Sequence, residues 1–198
     1  MGILVMYPGP SRVKKAISFE TLENVTFMKI LVATEKPFAK AAVDGIREIV
    51  EGAGYELALL EKYADKAELL AAVADVDALI VRSDKVTAEV IGAAKNLKIV
   101  VRAGAGYDNV DLAAATARGI VVMNTPGQNS NAVAELALAM MVFMSRNRFT
   151  PGTGSEIQGK TLGIHAYGNV GKLVGRKGKA LGMNVIAYDP FITDAAVF

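Results

Sequence analysis

Residues 161–189 of this chain read TLGIHAYGNVGKLVGRKGKALGMNVIAYD, and their pattern decides the fold of this region. The segment starts with a short apolar run, passes through a glycine-containing turn into a stretch with helical spacing, and ends in a second apolar run. We predict strands at 161–166 and 183–189 and a helix at 169–181 between them. Dinucleotide-binding sheets are built from such strand–helix–strand units.

The turn between the first strand and the helix is the strongest local signal for a ligand. It consists of Ala166, Tyr167, Gly168, Asn169, Val170 and Gly171. Gly168 would let the backbone approach a pyrophosphate, Gly171 would let the helix pack on the strand, and the helix N terminus would offer free N–H groups to the phosphates. Asp189 ends the next strand about 20 residues further on, where the carboxylate that binds the adenosine ribose belongs. This carboxylate would repel a 2′-phosphate, so the pattern favours NAD over NADP.

Ala166 occupies the position of the first glycine of this motif. An alanine fits there only if its φ angle is negative. A tight strand-to-helix turn without any ligand would also explain the glycines. The strand, the helix and Asp189 in register favour the NAD site.

The same alternation of apolar runs and helical spacing extends through residues 28–125. It predicts strands at 29–34, 55–60, 77–82, 98–103 and 120–123, and helices at 38–53, 65–73, 87–94 and 111–118. Continuous apolar strands between amphipathic helices are typical of a parallel sheet covered on both faces. We therefore predict an α/β chain in which a flavodoxin-like, doubly wound domain precedes the first strand–helix–strand unit of a Rossmann NAD-binding domain.

The chain divides into three predicted segments: an unpatterned N-terminal extension at 1–27, the doubly wound domain at 28–125 and the partial NAD-binding domain at 126–198. Pro126 and Gly127 mark a hinge at the second boundary. A helix predicted at 130–146 follows, and core or interdomain packing is expected for its apolar stripe. The stripe consists of Val133, Leu136, Ala137, Met140, Met141 and Met144.

A glycine-containing loop follows the fourth predicted strand, at the sheet edge where doubly wound folds bind ligands. Gly104 and Gly106 expose backbone N–H groups there that could hold a carboxylate. An ordinary loop in which Asn109 or Asp111 caps the next helix explains the same residues equally well.

Arg82 and Ser83 end the third predicted strand at the same edge. The arginine could pair with a carboxylate or a phosphate. A solvated arginine is the commoner situation at the end of a strand.

Composition excludes several classes of protein. The chain has 198 residues, 52% of them hydrophobic, which is incompatible with disorder throughout. It has no cysteine and a single histidine, so thiolate chemistry and multi-histidine metal sites are excluded within one chain. The net charge is +2 and the basic residues are scattered, so no nucleic-acid partner is expected. His165 has no relay partner near it in sequence, and a structural role is expected for it.

No membrane segment or signal peptide is expected. The most apolar stretch, 132–144, is shorter than the ~20 residues that cross a bilayer, and Glu135 interrupts it. The first residues lack the basic start of a signal peptide. The absence of cysteine fits a cytoplasmic location.

Three segments together resemble the D-3-phosphoglycerate dehydrogenases of the D-2-hydroxyacid dehydrogenase family, in order and in spacing. They are LIVRSDKVTAEVI (79–91), RAGAGYDNVDLAAATARGIVVMNTPGQNSNAVAE (102–135) and GKTLGIHAYGNVGKLVGRKGKALGMNVIAYDP (159–190). The resemblance implies NAD-dependent oxidation of a D-2-hydroxy acid, D-3-phosphoglycerate, in the first step of serine biosynthesis. It also implies a small-molecule substrate and, for full-length members of the family, a homo-oligomer; for this chain the oligomeric state stays open.

The resemblance assigns roles to individual residues. Arg82 and Ser83 match the pair that contacts substrate. Gly104, Ala105 and Gly106 match the loop that binds the substrate carboxylate, and Ala105 also faces the nicotinamide. The turn 167–171 matches the pyrophosphate site and Asp189 the ribose carboxylate, although many members carry arginine where this chain has Asn169.

This chain departs from the family in three places. The catalytic arginine, glutamate and histidine of the family have no counterpart before Phe198, so no catalytic residue is assigned. The loop 148–159 is short and lacks the usual tryptophan. The first 27 residues have no counterpart, and Met28 is where a member would start. A non-catalytic nucleotide-binding or interaction fragment is therefore the alternative function.

A receiver or flavodoxin-like signalling module is a second alternative. Receivers need clustered aspartates after the first and third strands. Here those strands lead into Glu35-Lys36-Pro37 and Arg82-Ser83-Asp84, which argues against this alternative.

Overall fold

The computed structural model describes residues 28–192, so the predicted extension at 1–27 lies outside the described residues. The described chain alternates strands and helices as the periodicity predicts. The strands are β1 (Lys29–Thr34), β2 (Glu56–Glu61), β3 (Ala78–Val81), β4 (Ile99–Arg102), β5 (Val121–Asn124), β6 (Thr161–His165) and β7 (Asn184–Tyr188). The helices are α1 (Lys40–Gly52), α2 (Lys66–Ala72), α3 (Ala88–Ala93), α4 (Leu112–Ala117), α5 (Ser130–Ser145) and α6 (Asn169–Ala180), with a 3-10 turn at Asn147–Phe149.

The first five strands form one parallel sheet in the order β2-β1-β3-β4-β5. This is the flavodoxin-like order, so the predicted fold class is confirmed. Strand β1 lies inside the sheet, and Val32 pairs with Leu59 of β2 and Ile80 of β3. Leu31, Val32, Leu79, Val81 and Val100 are at most 2% exposed and form the centre of the core.

The last two strands form a separate two-stranded parallel sheet, as expected for the start of a dinucleotide-binding unit. Helix α6 covers one face, and α5 packs against α6. The buried part of this core is small and consists of Ala134, Leu162 and Val174. The division of the chain at residue 125 stays a prediction.

The expectation that the apolar stripe of α5 is buried is wrong for most of its members. Leu136, Met140 and Met144 are 61%, 58% and 65% exposed, and Val133 is 40% exposed. Only Ala137 and Met141 pack against the small core. The helix is apolar on nearly all sides, so spacing alone could not identify which side faces α6.

Candidate dinucleotide and carboxylate sites

Two hydrogen bonds donated by backbone N–H groups connect the turn after β6 to the end of β7. The N–H of Ala166 donates to the carbonyl of Tyr188 at 2.8 Å. The N–H of Tyr167 donates to Oδ2 of Asp189 at 2.7 Å. The turn and the carboxylate that the sequence predicts 20 or so residues apart are therefore in direct contact.

Ala166 adopts a φ angle of +78°, so the expectation of a negative angle is wrong. The left-handed conformation costs a residue with a Cβ atom roughly 1–2 kcal/mol. The chain must turn sharply here to place successive N–H groups on Tyr188 and Asp189. These bonds hold Ala166 in a conformation that glycine would adopt without strain.

The turn glycines serve two different purposes. A Cβ atom on Gly171 would lie 2.3 Å from the carbonyl oxygen of Ala166, so only glycine lets α6 approach the turn this closely. Gly168 has an ordinary φ of −76°, and a Cβ atom there would meet no atom of residues 28–192 within 4 Å. The protein itself does not require glycine at 168, whereas a phosphate against this backbone would. The open space thus fits a bound pyrophosphate.

Two further glycines on α6 were not singled out from the sequence. A Cβ atom on Gly175 would lie 2.9 Å from the hydroxyl oxygen of Tyr167, and one on Gly178 would lie 2.8 Å from Leu162 Cδ2. Together with Gly171 they follow helical spacing, which was the available signal. They let α6 lie close to β6 and leave room for the buried ring of Tyr167.

Asp189 has the charge state and free acceptor capacity that a ribose site needs. Its Oδ1 accepts from the N–H of Phe191 at 2.9 Å, while Oδ2 accepts from Tyr167. The Phe191 bond has the largest effect on the pKa of Asp189 and lowers it, desolvation opposes it, and the Tyr167 bond adds to the lowering, so that the pKa lies below its usual value. A carboxylate has about four lone-pair sites, and the N–H groups of Phe191, Tyr167 and Ile192 use three of them at most, so acceptor capacity remains for a ribose hydroxyl group.

The segment around Pro126 lies between the two candidate sites. Gly127, at a φ of +82°, lies beside Asn169, because a Cβ atom there would be 3.4 Å from the Asn169 side-chain nitrogen. Thr125 N–H donates to the carbonyl of Gly104 at 2.8 Å. Thr125, before Pro126, thus contacts the loop 104–106, and Gly127, after Pro126, lies beside the turn 166–171.

The carboxylate loop lies at the predicted edge of the first sheet. Asn124 Nδ2 donates to the carbonyl of Ala105 at 2.6 Å, which fixes the centre of the loop to the end of β5. Gly106 is exposed, and a Cβ atom there would lie 3.1 Å from Asp108 Oδ1. Asp111 caps α4 by accepting from the N–H of Ala114 at 2.9 Å, so the capping interpretation is confirmed for that residue.

Arg82 and Ser83 follow β3 and are exposed at the same edge. Arg102, at the end of β4, was not singled out from the sequence. Its guanidinium group lies over Gly104, since a Cβ atom on that glycine would be 1.5 Å from Arg102 Nη1. Arg102 Nε is buried without a hydrogen-bond partner within the described part of the chain. An arginine that ends a strand at the ligand edge was the available signal.

His165 is exposed, and its ring centroid lies 5.5 Å from that of Tyr188. Within residues 28–192 no three metal-ligating side chains cluster. In the same residues no helix is both long enough and apolar enough to span a membrane.

Comparison with known sequences decides the family. A profile of the catalytic domain of D-isomer specific 2-hydroxyacid dehydrogenases matches residues 31–198. The chain belongs to this family. The predicted resemblance is therefore confirmed, and the family consists of NAD-dependent oxidoreductases.

Relatives and solved structures agree with this assignment. A hydroxypyruvate reductase of Thermotoga maritima is 44% identical over 149 residues, which cover 68% of this chain and 49% of that protein. A D-3-phosphoglycerate dehydrogenase of Archaeoglobus fulgidus is 43% identical over 183 residues, which cover 84% of this chain and 33% of the relative. The chain therefore spans half or less of the length of these relatives.

The solved structure of a 3-phosphoglycerate dehydrogenase from Entamoeba histolytica, with NAD+ bound, is also similar. It is 53% identical with a TM-score of 0.82, and the match covers 86% of this chain and 56% of the other.

Proposed function

We propose that this chain provides the substrate domain and the first part of the NAD-binding domain of a D-3-phosphoglycerate dehydrogenase, which acts in serine biosynthesis. The observation that carries the proposal is the turn at Gly168, which is open to a ligand and fastened to the ionised carboxylate of Asp189. The name and similarity of the Archaeoglobus fulgidus and Entamoeba histolytica proteins support the choice of substrate.

The NAD site in this proposal comprises the turn and Asp189. Backbone N–H groups at the start of α6 and the side chain of Asn169 bind the pyrophosphate, and Asp189 accepts from the adenosine ribose. Ala105 faces the nicotinamide end. NAD, when bound, accepts the two electrons removed from the alcohol carbon.

The substrate site comprises the loop 104–106 and the arginines at the same edge. The N–H groups of Gly104, Ala105 and Gly106 bind the carboxylate, and Arg82 and Ser83 contact the rest of the substrate. Arg102 adds a second cation at this edge. It lies opposite Val81 in the pairing of β4 with β3, and Val81 directly precedes Arg82, so both arginines belong to the same edge of the sheet. Two arginines at one sheet edge suit a substrate that carries both a carboxylate and a phosphate.

Hydroxypyruvate is the alternative substrate, because the name of the Thermotoga maritima relative specifies it. It shares the carboxylate but has no phosphate. In either case no acid–base residue is assigned within 28–192, so we expect binding by this chain and no turnover by these residues alone. The non-catalytic binding fragment remains the alternative function.

Calorimetric titration of the purified chain tests the proposal. NAD and ADP-ribose should bind with similar weak affinity, and D-3-phosphoglycerate should bind more tightly than D-glycerate because only the former reaches both arginines. If NAD binds but none of the hydroxy acids does, the result would favour the alternative of a non-catalytic nucleotide-binding fragment. An absence of nucleotide binding would refute the NAD site.

The proposal also includes a cytoplasmic homo-oligomer without nucleic-acid partners. The exposed side chains of Leu136, Met140 and Met144 form an apolar stripe of the kind that oligomers cover. Sedimentation of the wild-type chain and of Met140→Glu tests this: the substitution should lower the oligomeric state if α5 lies in the interface.

A further inference from the structure

Asp84 is a buried carboxylate at the ligand edge of the first sheet. It follows Arg82 and Ser83 directly, yet it is only 5% exposed while both of them are exposed. No salt bridge to Asp84 forms within residues 28–192. Burial of an unpaired carboxylate is costly unless hydrogen bonds satisfy it.

Hydrogen bonds to Asp84 come from the loops that follow three other strands. Its Oδ1 accepts from the N–H of Glu35, after β1, at 2.7 Å. The same oxygen accepts from the hydroxyl of Tyr63, after β2, at 2.8 Å. Its backbone carbonyl accepts from Asn109 Nδ2, after β4, at 2.8 Å. Asp84 therefore joins four neighbouring loops at the sheet edge.

Further contacts stabilise this junction of Asp84 with Glu35, Tyr63 and Asn109. Tyr63 is 7% exposed, and burial, followed by its hydrogen bond to Asp84, raises the pKa of its hydroxyl. Val86 N–H donates to the carbonyl of Asn109 at 2.8 Å, and Asp111 N–H donates to the carbonyl of Val86 at 2.9 Å. The segment after Asp84 and the segment after the carboxylate loop are thus bonded side by side.

We propose that Asp84 is a positioning residue, whose buried carboxylate holds Arg82 and Ser83 in register with the loop 104–106. The inference rests on the proposed function, because it assumes that these two segments bind one hydroxy acid. Asp84 does not contact the substrate. It fixes the backbone from which Arg82 and Ser83 project, and the Asn109 bond transmits that placement to the carboxylate loop.

The first arm of the test needs no ligand. Amide hydrogen exchange of the wild-type chain and of Asp84→Ala should show at least tenfold faster exchange at Val86 and Asp111 in the variant. Val90→Ala serves as a matched control, since it removes buried volume from α3 in the same core cluster and leaves every hydrogen bond of Asp84 in place. In Val90→Ala the exchange of core amides such as Val100 should accelerate as much as the exchange at Val86 and Asp111.

The second arm measures affinity for D-3-phosphoglycerate by chemical-shift titration. Asp84→Ala should weaken binding on the order of tenfold, Tyr63→Phe should weaken it less, and Asp84→Asn, which keeps an acceptor oxygen, should recover most of the loss. Val90→Ala should leave the affinity unchanged. If Asp84 acted only through the stability of the domain, both variants would lose affinity in proportion to their loss of stability.

The two arms separate the two proposals. Unchanged exchange at Val86 and Asp111 in Asp84→Ala would overturn the role of Asp84, and so would equal loss of affinity in Val90→Ala and Asp84→Ala. No binding of D-3-phosphoglycerate to the wild-type chain would overturn the proposed function, and the exchange comparison would then decide alone whether Asp84 organises the loops.

Discussion

The two sheets of this chain repeat the same strand–helix–strand pattern, but their surroundings differ. Strand β4 has a neighbouring strand on each side, and Val100 is completely buried. Among the described strands β7 pairs with β6 alone, and its Ile186 and Tyr188 are 63% and 62% exposed. A strand that looks equally apolar in sequence is thus a core element in one place and an open edge in the other, because burial depends on what lies beside it.

The largest difference should appear in amide hydrogen exchange. We expect slow exchange at Val100 and Val101, which open only when the first domain unfolds, and exchange faster by several orders of magnitude at Ile186 and Ala187. Native-state exchange measured by NMR provides the comparison. Similar protection in β4 and β7 would contradict the picture of an open two-stranded sheet.

Core substitutions should separate the same two regions by stability. Leu79→Ala removes a fully buried side chain from β3 and should lower the free energy of unfolding by about 2–5 kcal/mol. Ile186→Ala makes a comparable chemical change on the exposed face of β7 and should cost about 0.5 kcal/mol or less. Urea unfolding of both variants decides this. A large loss for Ile186→Ala would show that something covers that face in solution.

The Asp189 carboxylate should govern nucleotide binding in the second region. Asp189→Ala removes acceptors for the ribose and for Tyr167 N–H, so affinity for NAD should fall at least about tenfold. NADP should bind more weakly than NAD to the wild-type chain. In the variant NAD and NADP should bind with the same weak affinity. Asp75→Ala is the matched control, because it removes an exposed carboxylate that pairs with Lys29. It should leave the affinity for NAD unchanged.

The pH dependence of that binding follows from the sign of the pKa shift. The pKa of Asp189 lies below its usual value, so the carboxylate stays ionised to a lower pH than an unperturbed aspartate side chain does. NAD affinity should therefore hold between pH 7 and pH 5 and fall only as the pH approaches the lowered pKa. A decline centred well above pH 5 would assign the titrating group elsewhere.

The sequence predicted the elements well where a local pattern determines them. Apolar periodicity located all the strands of the first sheet within one or two residues. The inner strands β1, β3 and β4 demand continuous apolar residues, and the edge strands β2 and β5 still carry apolar runs although they are partly exposed. The requirement for glycine at 171 was also predictable, since it depends on the local approach of a helix to its own preceding turn.

Features that depend on distant residues were not predictable in the same way. The φ angle of Ala166 depends on acceptors at Tyr188 and Asp189, more than twenty residues away along the chain. The junction at Asp84 joins residues 49, 21 and 25 positions apart. The apolar residues of α5 gave no directional signal, because side chains of the same kind occur on its covered and exposed sides.

The smallest expected effect concerns Ala166 and distinguishes the turn from the helix that follows it. Ala166→Gly removes left-handed strain of roughly 1–2 kcal/mol, while the added freedom of glycine in the unfolded chain offsets about 0.4–1 kcal/mol. We therefore expect a net stabilisation of about 0.5–1 kcal/mol in the unit that contains β6, α6 and β7. The measurement is urea unfolding followed at the amides of Ile164 and Val185.

Ala180→Gly provides the matched control, because it makes the same chemical change at the last residue of α6. Ala180 has an ordinary helical conformation, so the glycine there should destabilise the unit by about 0.5–1 kcal/mol. Opposite signs for the two substitutions would show that Ala166 is held in its conformation by the bonds to Tyr188 and Asp189 and not by any preference of its own. Equal losses at both positions would mean that the turn bears no strain, and the positive φ angle of Ala166 would then have no energetic consequence.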